Sequence, residues 1–585
     1  MKFRSLTLVA AASRLACVAA GGLLAHSANA AENCAGLVGT PVPTAQITSA
    51  TLVTPPVTLT GPGGTGTVTV PFCRVMGVAT PSGDSQINFE VWLPPTKSAW
   101  TGRLKAEATG GYLGGVAYAR MAEEITQGFV EVGSDLGHTG GQSPTWDLDP
   151  QKVDDYGYRA HYYVANAAKA VVKAFYGKPP SYSYFDGCSG GGRQAHIVAS
   201  RFPDLFDGII AGDPSMFYPD AILELMWLDK LLLPQPVPAP QTVPAAKLAL
   251  VSATINATCD AKDGISDGQI TDPRACSFDP RSLQCKSGDG PDCLTADEVS
   301  IIKDVYRGPY TTSGHTYWTG PYPGSESNWI ANFADSQRFA NFTGDVVYDN
   351  TAWNYRTDLD YDTDYDFIKA TLTPLTAAPT PDLSAFRAHG GKMIQYHGWF
   401  DPVVTAHESP SYYAALAMFD RYSRSPRELD DVAAHITPQQ VAELVATSQS
   451  PRDYFRLFMV PNMAHCGGGN GPNAFGESAT LPSSADDADH DIVRAMIKWV
   501  EKGVPPERLV ATQYANNDPT QPIVRQRPLC SYPDEARYKG RGDINDASSF
   551  KCEAPKTSNL VPTEAEMNQI RYSIESRKLV VPTTH

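Results

Sequence analysis

The chain has 585 residues, 42% of them apolar and 19% charged, and a formal net charge of −16. That is enough apolar material for a large core, too few charges for a disordered chain, and length for two or more domains. An acidic surface repels phosphate backbones, which makes nucleic acid a poor partner.

The N-terminus carries an export pattern. Lys2 and Arg4 open it, an Ala/Leu-rich stretch interrupted by Arg14 follows, and Ala28-Asn29-Ala30 sets small residues before a cut. Residues 1–30 are therefore predicted to be a signal peptide, and its apolar run is too short to span a membrane. Losing Lys2, Arg4 and Arg14 takes the charge from −16 to −19. No later apolar run reaches the ~18 residues a membrane helix needs, so a secreted or periplasmic protein without a membrane partner is expected. Of eleven cysteines, Cys17 lies in the signal. The remaining even number suggests disulfides in an exported chain, and the lack of any C-x-x-C pair argues against zinc on that spacing.

After the signal, "TPPVTLTGPGGTGTVTVPFC" and "SQINFEVWLPP" read as short strands with turns. "RLKAEATGGYLGG" and "GFVEVGSDLGH" are strands running into Gly-rich loops. "RAHYYVANAAKAVVKAFYG" is a helix closed by Gly177. Strand "YSYF", helix "GRQAHIVASRF" and strand "FDGIIAGDP" follow. This alternation predicts a mostly parallel sheet with crossover helices. The rhythm breaks over 216–379, which carries four cysteines, many aromatics and Asp/Gly/Pro turns, and is read as an insertion. It returns with "GGKMIQYHGWFD", "YFRLFMVPNMAHC" and the helix "DADHDIVRAMIKWVEKG".

Gly187-Cys188-Ser189-Gly190-Gly191 fits G-x-S-x-G between a strand and a helix, the context of a nucleophile elbow in an α/β-hydrolase fold. The turn is too sharp for side chains at its flanks, lifts the Ser189 hydroxyl above the sheet, and points free N–H groups at a reacting carbonyl. A phosphate-binding turn is the competing reading, but no complete G-x-x-x-x-G-K-[ST] or G-x-G-x-x-G accompanies it. A serine nucleophile needs a histidine and a carboxylate, in the order serine, acid, histidine. His465 lies in the loop after strand "FRLFMV", and Asp401 in the loop after strand "KMIQY". Strand-end loops are where such groups sit in this architecture. His196 is expected to point away, His389 to end a helix and His490 to start one at the surface. Cys188 precedes the serine and Cys466 follows the histidine. If Ser189 and His465 touch, these cysteines fall within the ~5.5 Å Cα separation of a disulfide.

"SYFDGCSGGGRQAHIVASRFPDLFDGIIAGDP", "YHGWFDPVV", "VPNMAHCGGG" and "ARYKGRGDINDASSFKC" resemble the tannase and feruloyl esterase family, which includes hydrolases of mono(2-hydroxyethyl) terephthalate. The resemblance implies a secreted serine esterase acting on esters of aromatic acids (feruloyl, galloyl or terephthalate monoester) through an acyl-enzyme. It implies Ser189 as nucleophile, Asp401 as orienting acid and His465 as base. Gly190 donates one oxyanion N–H and Gly111 the other, with Gly110 the neighbouring alternative. A lid domain at 216–379 is implied between the two parts of a hydrolase core, 31–215 and 380–585. The family's lid binds Ca2+ in a segment like "CDAKDGISDGQI". Here Asp260, Asp263 and Asp267 supply hard carboxylates, and the carbonyls of Ile265 and Gln269 complete an oxygen shell. Cys259–Cys276 would close that loop, and Cys34–Cys73, Cys285–Cys293 and Cys530–Cys552 are the remaining pairs. In the lid, Trp329, Phe339 and Phe342 offer rings for stacking. Arg338 resembles the arginine that pairs the free carboxylate of a terephthalate monoester. His397 is expected to line the pocket beside Asp401. Val404 stands where a terephthalate-monoester hydrolase of that family carries an aromatic, which speaks against a strict terephthalate substrate. The triad does not by itself separate an esterase from a peptidase or acyltransferase. A catalytically silent binding module would lack a triad member, and none is missing.

Overall fold

The Thr- and Val-rich segment after the first described cysteine forms strand β1 (Ala45–Val53) and a hairpin of β2 (Val57–Gly61) and β3 (Gly64–Val68). Then come β4 (Phe72–Ala79), β5 (Ile87–Leu93), β6 (Arg103–Glu107), β7 (Val130–Ser134), β8 (Tyr182–Cys188), β9 (Gly208–Gly212), β10 (Lys392–Gly398) and β11 (Phe455–Val460). This computed structural model describes residues 33–141, 145–233, 240–330, 336–477 and 481–579. The predicted signal peptide lies outside them.

Nine strands make one sheet in the order β1-β4-β5-β7-β6-β8-β9-β10-β11. The β1–β4, β4–β5 and β5–β7 pairs are antiparallel. From β7 onward every pair is parallel. The parallel strands are covered on both faces, so β9 (GIIAG) and β11 (FRLFMV) are buried at every residue. Their crossovers include the helix Ala160–Tyr176, closed by Gly177 at φ 75°, and the wholly buried helix Gly190–Arg201. This is an α/β-hydrolase sheet. The chain leaves β6 for β7 on one side and returns to β8 on the other. The carboxyl ends of β6 and β8 therefore flank the point where strand order reverses, the natural crevice of such a sheet.

Between β9 and β10 no described residue joins this sheet. The segment holds the helices Tyr218–Leu232, Ala245–Cys259, Ala296–Arg307, Gln337–Tyr348 and Tyr365–Thr376. Ion pairs tie the first of these to the last helix and to the loop before it: Asp220 to Lys369 at 2.7 Å and Asp229 to Arg356 at 2.8 Å. After β11, β12 (Arg508–Tyr514) pairs with β13 (Ile523–Cys530), and β14 (Glu535–Tyr538) with β15 (Phe550–Glu553). The helix Glu564–Ser576 packs on Glu408–Tyr422 and is pinned by a 2.7 Å His407–Glu566 contact. The late amphipathic helix runs Ile492–Lys502 with Asp491 as its N-cap, so His490 sits in the loop before it. All five expected disulfides are formed: Cys34–Cys73, Cys188–Cys466, Cys259–Cys276, Cys285–Cys293 and Cys530–Cys552.

Beneath β6 lies a buried charge cluster. The Lys105 ammonium contacts Glu107 at 2.6 Å, Glu124 at 3.2 Å and Asp186 at 3.3 Å. Arg120 reaches Asp186 at 2.8 Å. Burial weighs against the charge on Lys105, but its carboxylate partners raise its pKa on balance. Glu131, fully buried beside them, is pushed well above the usual carboxylate range by burial and by Glu107.

Candidate active site

β8 ends at Cys188, and the turn into the next helix leaves Ser189 at φ 62°, ψ −122°. A side chain at Gly187 would put its Cβ 2.8 Å from the backbone of Gly191, so the turn closes only around glycine. The Ser189 N–H donates to the Gly212 carbonyl at 2.9 Å, anchoring the elbow to the end of β9.

His465, in the loop after β11, brings Nε2 to 2.8 Å from Ser189 Oγ and Nδ1 to 2.6 Å from Asp401 Oδ2. Asp401 follows β10 and is fully buried. Its Oδ1 accepts the N–H of Val403 at 2.7 Å and of Val404 at 3.0 Å. Burial alone would raise Asp401, but the His465 and His397 imidazoles outweigh it and hold it far below the usual carboxylate range. Burial likewise acts to lower His465, and Asp401 overcomes this and raises it. A carboxylate fixes the Nδ1–H tautomer and leaves Nε2 free to accept the serine proton. Cys188 and Cys466 are joined with Cα atoms 6.0 Å apart, so the Ser189 and His465 loops are covalently linked.

The loop after β6 faces the elbow. A Cβ on Gly190 would lie 2.9 Å from the Gly111 nitrogen, and one on Gly110 would lie 3.9 Å from Ser189 Oγ. Gly111 has φ 56°, and its carbonyl accepts the Tyr156 hydroxyl at 2.9 Å. Tyr112, the next residue, is fully buried among aromatic rings: Phe342 at 5.1 Å, Tyr156 at 5.5 Å and Phe339 at 5.6 Å between centroids. Phe339 and Phe342 come from the helix Gln337–Tyr348, so this cluster fixes that helix to the Gly110–Gly111 loop. Arg338, on the same helix, stacks over Phe339 at 4.7 Å and lowers the His465 imidazole by its charge.

Several expected site residues sit elsewhere. His397 has no exposed surface beside Asp401. It belongs to β10, not to the loop after it, and is fully buried with Nδ1 2.7 Å from Ser409 Oγ and Nε2 donating to the Val404 carbonyl at 2.9 Å. Its Nε2 also lies 3.5 Å from Asp401. Val404 contributes that carbonyl and an N–H to the acid loop, and its side chain is buried. Trp329 is buried within 216–379, donating to Ser325 Oγ at 2.9 Å and packing edge-on against Tyr306. Phe342 is buried in the cluster behind Gly111, since the Tyr112 ring covers it. His196 is buried away from Ser189, 2.8 Å from Gln395 Oε1.

Asp213 was not singled out from sequence. It ends the stretch "FDGIIAGD", is fully buried, and stands at φ 35°. It occupies the end of a third parallel strand, the position that also marks Asp401 and His465.

The segment 260–269 curls under the Cys259–Cys276 bridge. Asp260 Oδ1 accepts the N–H of Asp267 and of Gly268, each at 2.9 Å, and Asp263 Oδ1 accepts the N–H of Ile265 at 3.1 Å. Asp267 also pairs with Arg527 at 2.5 Å. Burial pushes Asp263 and Asp267 up, and the charge of Asp260 adds to both. Repelling oxygen donors of this kind suit a hard divalent cation. Among the described residues, the groups of three His, Cys, Asp or Glu whose ligating atoms lie within 4.8 Å of one another are Cys188/Asp213/Cys466 and Asp213/His397/Asp401, and the aspartates of 260–269 do not form one. The disulfide and the hydrogen bonds of the site account for both.

Comparison with known proteins supports one family. The family model described as tannase and feruloyl esterase matches residues 73–553. An uncharacterized esterase of Xanthomonas campestris pv. campestris is 37% identical over 567 residues, covering 93% of this chain and 95% of that protein. The crystal structure of feruloyl esterase B from Aspergillus oryzae superposes with a TM-score of 0.76 at 29% identity, covering 89% of this chain and 99% of the other. Tannin acyl hydrolase from Aspergillus niger shares the fold, with a TM-score of 0.69 at 21% identity over 92% and 97% of the two chains. No described helix is long and apolar enough to cross a membrane. The chain belongs to the tannase and feruloyl esterase family and is a carboxylic ester hydrolase.

Proposed function

We propose that this protein is an exported serine esterase that hydrolyses esters of aromatic carboxylic acids through an acyl-enzyme. The observation that carries the reading is the hydrogen-bonded row Ser189–His465–Asp401, at the carboxyl ends of parallel strands. In this reading Ser189 Oγ attacks the ester carbonyl as His465 Nε2 takes its proton. Asp401 holds the ring and stabilises the imidazolium that forms. The N–H groups of Gly190 and Gly111 receive the oxyanion. His465 then returns the proton to the leaving alcohol. Water, activated by the same histidine, cleaves the acyl-enzyme.

An aromatic acyl group is supported by the family and by the feruloyl esterase B named above. Arg338 is the group we assign to an acid function on the substrate, because it sits on the helix packed against the Gly110–Gly111 loop and a guanidinium fork suits a carboxylate. Asp260, Asp263 and Asp267, with the carbonyls of Ile265 and Gln269, are assigned to a structural Ca2+. That ion would neutralise their mutual repulsion and take no part in the chemistry. The export signal and the disulfides support a secreted or periplasmic protein.

The test is kcat/KM for methyl gallate, methyl ferulate, chlorogenate and mono(2-hydroxyethyl) terephthalate, with Ser189→Ala as control. Turnover of at least one ester is expected, lost by a factor on the order of 10⁵ in the variant. No turnover of any, or activity retained in Ser189→Ala, would refute the reading.

A further inference from the structure

Asp213 makes more contacts with the site than its absence from the triad would suggest. Its Oδ1 accepts the N–H of Gly398 at 2.8 Å, at the root of the acid loop. Its Oδ2 accepts the N–H of Cys466 at 3.1 Å, in the base loop. Its own N–H donates to the Tyr396 carbonyl at 2.9 Å, and the carbonyl of its neighbour Gly212 accepts the Ser189 N–H at 2.9 Å. One two-residue step at the end of β9 therefore holds all three loops that carry Ser189, Asp401 and His465. The close fit leaves little freedom: a Cβ on Gly398 would lie 2.5 Å from the Met463 carbonyl oxygen. A left-handed backbone at a non-glycine is strained and persists only where the surroundings fix it.

Both oxygens of Asp213 receive N–H donors, so the ionised form is the one that clamps. A proton leaves the oxygen that carries it a poorer acceptor and weakens the N–H bond that oxygen receives. The groups facing it are His397 Nε2 at 3.7 Å from β10, Asp401 from the acid loop, His465 from the base loop, the Cys188–Cys466 bridge, and more distantly Glu477 and Tyr396. No lysine or arginine is among them. The neutral form of His397 is fully satisfied. Gln395 Nε2 donates to Ser409 Oγ at 2.6 Å, the Ser409 hydroxyl then serves His397 Nδ1, and Nε2–H goes to Val404. Asp213 thus faces the like charge of Asp401 on one side and, on the other, His397, whose imidazole Asp401 and Asp213 raise against the effect of burial. Burial pushes Asp213 up to about 7, against the pull of His397.

We infer that Asp213 is a positioning residue: its carboxylate clamps the acid and base loops to the elbow, and its protonation releases them. This rests on the triad reading above. The acid limb of kcat/KM should then lose two protons in the wild type, one from His465 and one from Asp213.

The test measures kcat/KM and kcat for methyl ferulate, or for whichever ester of the panel turns over best. It spans about pH 5 to about pH 9 for the wild type, Asp213→Asn and Asp213→Ser, with active sites counted by burst titration. The expected results are a wild-type acid limb steeper than one proton, and a one-proton limb in Asp213→Asn. Per-site kcat in Asp213→Asn should fall at least about tenfold with KM within about twofold. A one-proton limb in the wild type overturns the inference, and that measurement needs no variant to fold. So does a per-site kcat within about twofold of wild type in the variants, including the case where only the fraction of active sites drops. A wild type without esterase activity, or an active Ser189→Ala, refutes the triad reading instead.

Discussion

Ser189 holds a backbone conformation that glycine adopts at no cost and other residues do not. Ser189→Ala and Ser189→Gly should both be inactive, but the glycine variant should be the more stable by about 1 kcal/mol in denaturant melts. Equal stabilities would mean that the elbow carries no strain. His465 must be neutral to accept a proton, and Asp401 raises its pKa. Activity should therefore rise with pH through a value above the ordinary ~6.5 of an imidazole. Asp401→Asn removes that lift, so the remaining activity should reach its plateau at lower pH while kcat falls by a factor on the order of 10⁴. Arg338 works the other way: Arg338→Met should move the acid limb up and weaken kcat/KM for the acidic ester alone. Equal losses across the four esters would remove Arg338 from substrate recognition. At this scale Ser189, Asp401 and His465 were legible because each closes a strand in the order the chemistry demands. Asp213 meets the same strand-end criterion, but a triad has only one place for an acid, so the pattern alone does not point to it.

The elements were legible where periodicity and glycine mark their ends, as with Gly177 after Ala160–Tyr176. They blurred where a strand outran its apolar core. β10 continues through Gly398, two residues past Tyr396, which turns His397 from a loop residue into a buried one. Trp329 and Phe342 show a second gap. Aromatic content reveals that rings pack but not against which side, and both are spent on packing. The 260–269 loop makes a prediction at this scale. If Ca2+ holds its three aspartates, a chelator should lower Tm by several degrees, and Ca2+ but not Mg2+ should restore it. An unchanged midpoint would leave Asp267 to Arg527 alone. The Cys188–Cys466 bridge spans 278 residues, and loop entropy on that scale is worth on the order of 5 kcal/mol. Replacing both cysteines by alanine should cost up to that much in stability.

For the whole molecule, the cluster under β6 sets how charge is carried inside the core. Lys105 answers Glu107, Glu124 and Asp186 from a fully buried position. Lys105→Met should destabilise by about 3–5 kcal/mol, because it removes the central cation and leaves Arg120 alone to answer Glu107, Glu124 and Asp186, whereas Glu131→Gln should be nearly silent near neutral pH. A similar loss from both would contradict a neutral Glu131. None of this was legible, because a buried lysine in "RLKAE" looks like any strand-edge lysine until the sheet is assembled. The long bridge has a topological meaning as well. Everything from β9 to β10, including the helices of 213–391, lies on a closed ring whose clasp is Cys188–Cys466. A protease that nicks an exposed turn in that ring leaves two fragments that still share one covalent clasp at the reacting centre. The nicked enzyme should run as a single species without reductant and as two with it, and reduction rather than cleavage should be what separates the nucleophile from its base.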